Sequence, residues 1–339
     1  MTARAKMDNF KKLSMDELCG KLCERRKTLI IYHVRSDADA VGSAFALREL
    51  FRMMDIPAIC ACADEVPERL RFLLDGVQGS VLLEEGMELD HDRVISVDSA
   101  SPAQLGELYN RLHKYINIMI DHHAMGTVYA DNYIDPSASA TGEIIYEIAK
   151  TLVRMGKISE IPERALNCIY AAICSDTGCF RYSNATPRTF RCVAELIASG
   201  VEQVKINRLL YESKSHKQIK AEGEAARRLT LHAGGRVASV TFPYSSKFSL
   251  SLKDEHLETI IDIPRSVAGV EVAFAVRQPE DTPHFRVSMR SNSDFDVSEV
   301  CAAFGGGGHK KAAGCNLDAA NVHEAEEIIL EAVLKNLKR

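Results

Sequence analysis

The stretch TLIIYHVRSDADAVGSAFALRELFRMM, residues 28–54, decides the fold. Thr28 to His33 is a short apolar run of the kind a buried strand shows. From Ala40 to Met54 the period changes, and Val41, Ala44, Leu47, Phe51 and Met54 recur on one helical face. A polar turn carrying Asp37 and Asp39 joins the two, so the stretch reads as one α/β unit. The alternation continues downstream, with strands expected at Pro57 to Ala63, Arg93 to Val97 and Tyr115 to Ile120, and helices at Pro67 to Leu74 and Pro102 to Leu112. Such a pattern predicts a mostly parallel sheet with helices on both faces. Upstream, Ser14 to Glu17 is a capping box that opens a helix with Leu18, Cys19, Leu22 and Cys23 on one face. Apolar stripes predict two further helices, Gly142 to Met155 and Pro162 to Cys174.

From Gln203 to Leu231 the chain turns helical and highly charged, the character of an exposed connector. Beyond it, Val237 to Phe242, Val270 to Arg277 and His284 to Arg290 alternate as strands, while Val297 to Phe304 and Val322 to Leu337 read as helices. The expected organisation is an α/β domain over 1–210, a helical connector over 211–232 and a smaller α+β module over 233–339.

The chain has 339 residues, 46% hydrophobic and 26% charged, which is ordinary for a globular protein. Its 42 Lys and Arg against 47 Asp and Glu give a net charge of −5, so no global positive field attracts long duplex nucleic acid or an anionic membrane. Ten cysteines without a CxxC pair read as reduced, buried thiols. With no apolar signal region in Met1 to Lys12 and no apolar run of membrane-spanning length, the expectation is a cytoplasmic protein.

Chemistry concentrates where predicted elements end. His33, Asp37 and Asp39 follow the first strand, Asp98 follows another, Asp121-His122-His123 a third, and Asp176 ends a helix. Ligands of open α/β sheets bind beyond the carboxyl ends of strands, so these residues should converge. Each alone has a bland reading: a solvated turn for Asp37 and Asp39, an N-cap for Asp98, a surface or core pair for His122 and His123. Their conjunction points to a metal centre. Carboxylates and imidazoles without cysteine suit Mn²⁺, with Mg²⁺ as the alternative. Two such ions about 3.5–4 Å apart would turn a bridging water into hydroxide and clamp a phosphoester displacement.

A second constellation, Phe304-Gly-Gly-Gly-Gly-His309-Lys-Lys-Ala-Ala-Gly314, offers a glycine run whose backbone N–H groups could close on an anion; the bland alternative is a flexible loop. Arg290, ending the preceding strand, adds a fork donor for phosphate. A cleft between the domains would face this cradle toward the metals.

The motifs His33-Val-Arg-Ser-Asp37-Ala-Asp39-Ala-Val-Gly42-Ser, Val97-Asp98-Ser, Asp121-His122-His123 and Ser175-Asp176-Thr-Gly178 fall in the order of the four motifs of the DHH phosphoesterases. Gly306-Gly-Gly-His309 followed by Ala312-Ala-Gly314 resembles the DHHA1 signature. Within that family the chain is most similar to the nano-RNase (oligoribonuclease) and pAp-phosphatase group. The resemblance implies one Mn²⁺ on His33, Asp37 and Asp98 and a second on Asp39, Asp98, His122 and Asp176, with Asp98 bridging. It implies that His123 contacts the scissile phosphate, and that Arg290, Gly307, Gly308 and His309 hold the rest of the substrate. Asp121 is assigned to orienting the ligands; Thr141 and Glu143 read as site supports or, more simply, as a helix cap. The chain departs from the family at Ser36 and Ala38, where Pro and Gly are usual, and at Ser101, where many relatives carry an acid; none replaces a metal ligand.

The implied activity is a Mn²⁺-dependent phosphoesterase acting on short oligonucleotides, pApA-type dinucleotides or the bisphosphate pAp, and a homodimer is compatible with the relatives. Alternatives are a c-di-AMP phosphodiesterase, a RecJ-like single-strand exonuclease, an inorganic pyrophosphatase or polyphosphatase and, from another class, a catalytically silent nucleotide-binding regulator. The exonuclease reading lacks stacking aromatics, with no Trp and 6% aromatic residues. The silent reading predicts eroded ligands, and all six are present.

Overall fold

Leu29 and Ile31 pack into one apolar core and Ile30 into another, so β1 (Thr28–Ile31) is covered on both faces. In the computed structural model, which describes residues 10–74, 80–82 and 90–337, it is a central strand of a six-stranded sheet. The other strands are β2 (Ala58–Cys62), β3 (Ser80–Leu82), β4 (Arg93–Val97), β5 (Ile116–Asp121) and β6 (Asp131–Ile134). Their order is β3-β2-β1-β4-β5-β6 and every neighbouring pair is parallel. The connections leave β1 toward β2 and β3 on one side and return to β4 on the other. The switch point of the topology therefore lies between β1 and β4, where α/β sheets place their ligands.

The helices of this unit, Met1–Ser213, are α1 (Met15–Leu22), α2 (Ala38–Met53), α3 (Glu107–Leu112), α4 (Thr141–Arg154), α5 (Glu163–Asp176), α6 (Pro187–Ala198) and α7 (Gln203–Asn207). Ser14 closes its capping box on α1 as its sequence predicts. The expected helix over 67–74 is a tighter 3₁₀ helix over 68–74. The one expected over 102–112 is broken by Gly106 at φ +56° into a 3₁₀ turn and α3. Three elements of this unit are not among those expected: β3, a three-residue strand, β6, four residues of mixed polarity, and α6, signalled by the Thr186-Pro187 start.

α2 and α5 pack closely because Gly42 has no side chain. A Cβ there would lie 2.5 Å from the Cys168 carbonyl oxygen. Gly42→Ala is therefore expected to cost about 1–3 kcal/mol by forcing the helices apart; chemical denaturation against the parent protein measures it.

The second unit, Lys214–Arg339, begins with α8 (His216–Arg227), continues through β7 (Leu229–His232) and β8 (Val237–Phe242), and adds α9 (Tyr244–Ser249) and α10 (Asp262–Arg265). Then follow β9 (Val272–Arg277), β10 (His284–Ser291), α11 (Val297–Ala302), β11 (Gly307–His309), β12 (Ala312–Asp318) and α12 (Val322–Asn336). The sheet order is β11-β12-β10-β9-β8-β7, with β8 and β9 parallel and the remaining pairs antiparallel. α11 and α12 cover one face through Val300, Cys301, Ala325, Ile329 and Val333. The segment expected as a free connector differs in structure: Ala221 and Ala225 of α8 are buried against β8 and β9, and 229–232 is a strand. Lys217, Lys220 and Arg227 are exposed, while Glu222 and Glu224 accept from Thr259 and Ser246 of the same unit, so composition conceals the small-residue stripe.

Candidate metal centre

The chain leaves β1 at His33, β4 at Asp98 and β5 at His122 and His123, and these three strands are adjacent in the order β1-β4-β5. Asp98 has φ +52°, a left-handed conformation that Asp tolerates better than most residues. Its two carboxylate oxygens then face different neighbours. Oδ2 lies 3.6 Å from His33 Nε2, and Oδ1 lies 3.8 Å from both His122 Nε2 and His123 Nδ1.

α2 begins on the same edge. Asp37 is its N-cap, accepting from the backbone N–H groups of Asp39 and Ala40 through Oδ1, which also lies 3.7 Å from His33 Nε2. Asp39, one residue into the helix, is fully buried and faces His122 Nε2 at 3.8 Å. Asp176 ends α5 with Oδ2 3.1 Å from the same nitrogen. Two groups of potential ligand atoms, His33 with Asp37 and Asp98 and Asp39 with His122 and Asp176, each lie within 4.8 Å of one another; Asp98 with His122 and His123 forms a third.

Surrounding groups fix these side chains. His33 and His122 each turn Nδ1 to a backbone carbonyl, of Val34 at 2.9 Å and Ala138 at 3.4 Å, which aims Nε2 at the carboxylates in the manner of metal-binding histidines. Asp121 Oδ1 accepts from the backbone N–H groups of His122 and His123 and from His123 Nδ1 at 2.7 Å, so it orients the His-His pair. Thr141 does more than start a helix. Its N–H and that of Gly142 donate to Asp39 at 2.7 and 2.9 Å, and its Oγ1 donates to Asp98 Oδ1 at 2.9 Å. Ser43 Oγ adds a bond to Asp39 at 2.9 Å, a contact whose only mark in the sequence is the i+4 spacing from Asp39. α4 has no side-chain cap of its own, so Asp39, 102 residues away, supplies one. Glu143, itself fully buried, accepts from the Ser139 N–H and hydroxyl and pairs with the half-buried Arg188 at 2.6 Å.

The electrostatics divide the acids. Burial would raise Asp98, but the hydrogen bond and charge of His33, together with His122 and His123, hold it below the ordinary carboxylate range. Burial likewise opposes, and His33 reverses, the shift at Asp37, which also ends low. Asp39 is raised well above that range by burial and by the charges of Asp98 and Asp176. Burial pushes Asp176 up, the His122 hydrogen bond resists, and the Asp37 charge adds to the rise, leaving it at about 6. Against burial, Asp37 and Asp98 push His33 up to about 12, and Asp176 and Asp39 push His122 up to about 11. Five acids and three imidazoles thus meet at the carboxyl edge of the sheet, with Asp39 and Asp98 buried and Asp37 half-buried, and Asp39 and Asp176 lack enough positive charge to ionise easily. A divalent cation beside them would supply it, and the donors, carboxylate oxygen and imidazole nitrogen without sulfur, suit Mn²⁺ or Mg²⁺. The residues fit a metal.

Thr141→Val removes the hydroxyl bond to Asp98 while keeping the side-chain volume. The Mn²⁺ dissociation constant is expected to rise about tenfold, read by calorimetric titration, with the fold retained.

In the second unit, Arg290 lies on β10 with Nη1 2.9 Å from the Met289 carbonyl. The glycine run is not a loop throughout: Gly307 and Gly308 belong to β11, paired with Gly314 and Ala313 of β12. A Cβ at Gly308, whose φ is +142°, would meet the Ala312 carbonyl oxygen at 2.5 Å, which explains the glycine. His309 pairs with Ala312 through its backbone, and its side chain lies outside the described residues.

Residues 27–173 match the model of the DHH family, N-terminal domain, and residues 237–337 that of the DHHA1 domain. A protein of Thermus thermophilus named bifunctional oligoribonuclease and PAP phosphatase NrnA is 28% identical over 315 residues, 91% of this chain and 90% of that protein. A cyclic-di-AMP phosphodiesterase of Geobacillus thermodenitrificans is 27% identical over 92% of this chain and 48% of its own length. An exopolyphosphatase-related protein from Bacteroides fragilis shares the fold, with a TM-score of 0.86 at 24% identity over 95% of each chain. No helix among the described residues is long and apolar enough to cross a membrane.

Proposed function

Because the chain belongs to the DHH family and carries a DHHA1 domain, it is a phosphoric ester hydrolase, and we propose that it is a Mn²⁺-dependent enzyme cleaving short oligonucleotides and pApA-type dinucleotides to mononucleotides, and pAp to AMP and phosphate. The observation that carries this reading is the placement of Asp98 between two ligand groups, one oxygen toward His33 and the other toward His122. One ion would be held by His33, Asp37 and Asp98, and a second by Asp39, Asp98, His122 and Asp176. When bound, such ions neutralise the acids, lower the pKa of a water and polarise the phosphoryl oxygens.

The protein's own groups do the rest. His123, with Nδ1 bonded to Asp121, presents Nε2 to a non-bridging oxygen of the scissile phosphate. Burial opposes its charge, but the Asp121 bond raises its pKa, so it binds the phosphate as a proton-carrying donor. Asp121 and Thr141 hold His123, Asp39 and Asp98 in place before substrate arrives, so little reorganisation is left to the reaction. Arg290, Gly307, Gly308 and His309 are the proposed contacts to the remainder of the substrate, Arg290 as a bidentate donor. The net charge of −5 favours a pocket for a few nucleotides over a track for a long strand.

The test is product analysis after incubation with Mn²⁺ and pAp, pApA, c-di-AMP, a five-nucleotide RNA, a long single-stranded DNA and pyrophosphate, with an EDTA control. EDTA-sensitive loss of pAp, pApA and the short RNA, ahead of c-di-AMP, is the expected result. Turnover confined to c-di-AMP, pyrophosphate or the long strand replaces this substrate assignment, and no turnover revives the silent binder.

A further inference from the structure

Asp176 closes α5, and the chain after it turns back sharply. Gly178, Cys179 and Phe180 have φ of +56°, +58° and +62°, three left-handed residues in a row of which only the first is a glycine. For Cys and Phe the conformation is strained, and such strain persists where the surrounding structure makes use of it. The turn brings Asn184 against the Asp176 backbone. Asn184 Nδ2 donates to the Asp176 carbonyl at 3.0 Å and to the Ser139 carbonyl at 3.1 Å. Both partners are carbonyl oxygens, so the amide must present its NH₂ to them and turn Oδ1 away. That Oδ1 is buried and has no hydrogen-bond partner among the described residues. An unmatched buried acceptor lowers stability, so Asn184 is a poor choice for stability and a good one for what its two N–H groups hold.

Those two bonds join the ligand set of one ion. Ser139 belongs to the segment between β6 and α4. Its neighbour Ala138 offers the carbonyl that faces His122 Nδ1. Thr141, two residues further on, holds Asp39 with its N–H and Asp98 Oδ1 with its hydroxyl. Asn184 therefore ties the backbone that orients His122, Asp39 and Asp98 Oδ1 to the backbone that carries Asp176. These are the four residues assigned to the second ion. The ligands of the first ion have other supports. His33 Nδ1 rests on the Val34 carbonyl, Asp37 accepts from the first N–H groups of α2, and Asp98 faces His33 through its other oxygen, Oδ2. None of these contacts passes through Asn184.

We propose that Asn184 is a positioning residue for the second ion. By fixing the end of α5 to the segment before α4, it sets the separation of Asp176 from His122, Asp39 and Asp98, and so decides how tightly the second ion is held while leaving the first alone. Groups that orient metal ligands without binding the metal are commonly worth ten- to a hundredfold in affinity. The inference rests on the two-ion reading above and deepens it, because it makes occupancy of one position depend on a residue that is not itself a ligand.

The experiment is calorimetric titration of the metal-free full chain with Mn²⁺, which reads binding without turnover, alongside thermal melting in EDTA. Two binding steps are expected in the parent protein. In Asn184→Ala one step should weaken between about ten- and a hundredfold while the other keeps its affinity. A general loosening of the fold would weaken both steps, and melting in EDTA reads it separately. A second variant identifies the step. His122→Asn takes a ligand from the second ion alone, so the step it retains should not change when Asn184→Ala is added. Unchanged affinities in Asn184→Ala, equal weakening of both steps, or a weaker retained step in the His122→Asn background overturns the assignment. A parent protein that binds a single ion contradicts the two-ion reading itself, and that failure shows before any variant is made.

Discussion

Asp98→Asn is expected to reduce hydrolysis of short nucleotides at least about a thousandfold at saturating Mn²⁺, the loss of about 4 kcal/mol of transition-state stabilisation. Asparagine is the informative replacement because position 98 has φ +52°, where Asn is tolerated and Ala adds strain unrelated to chemistry. The amide keeps the shape of the carboxylate and can still accept from Thr141 Oγ1, so the fold is expected to survive. What disappears is the negative charge facing both His33 and His122. Initial rates together with thermal melting separate the two effects. A rate within about tenfold of the parent value would remove Asp98 from the bridging role.

The second large effect is stabilisation by metal. Asp39 and Asp176 are raised because burial and like charge oppose their ionisation. In the metal-free protein, Asp176 stands at about 6 against an ordinary value of 3.8, a folded pKa above the unfolded one. Its favourable contribution is therefore complete below 3.8 and is lost as pH rises to about 6 and beyond. His33 and His122, raised to about 12 and about 11, stay protonated through this window. Metal binding needs deprotonated ligands and displaces protons, so its affinity climbs over the pH range in which the metal-free site weakens. Saturating Mn²⁺, at about a thousand times its dissociation constant, adds about 4 kcal/mol, roughly 10 °C in melting temperature. The gap between Mn²⁺ and EDTA samples should widen from about pH 5.5 to about 7.5. A gap that is absent, or constant with pH, contradicts the assignment of Asp39 and Asp176 to the ion.

Much of this site is legible in the residues themselves. A strand followed at once by His33, Asp37 and Asp39 obeys the rule that parallel sheets bind ligands at their carboxyl edge, and the parallel order β1-β4-β5 then brings Asp98 and His122 alongside. Asp176 is harder, because helix α5 has to run back toward that edge, and the close packing at Gly42 that aligns it is a three-dimensional fact. Thr141 and Ser43 are obscured by having ordinary local explanations, a cap and a helical serine, while their partners Asp39 and Asp98 lie partly across the fold. In the second unit, a glycine run reads equally as an anion cradle or as a flexible loop until its pairing partner is known.

The most direct measurement of the two-metal assignment is a titration of metal-free protein with Mn²⁺ in which bound ions per chain and pApA hydrolysis are recorded together. Activity that rises to a break at two ions per chain is the predicted result. Full activity at one ion or none, or two bound ions without hydrolysis of any short nucleotide, would contradict a two-metal phosphoesterase built on Asp98.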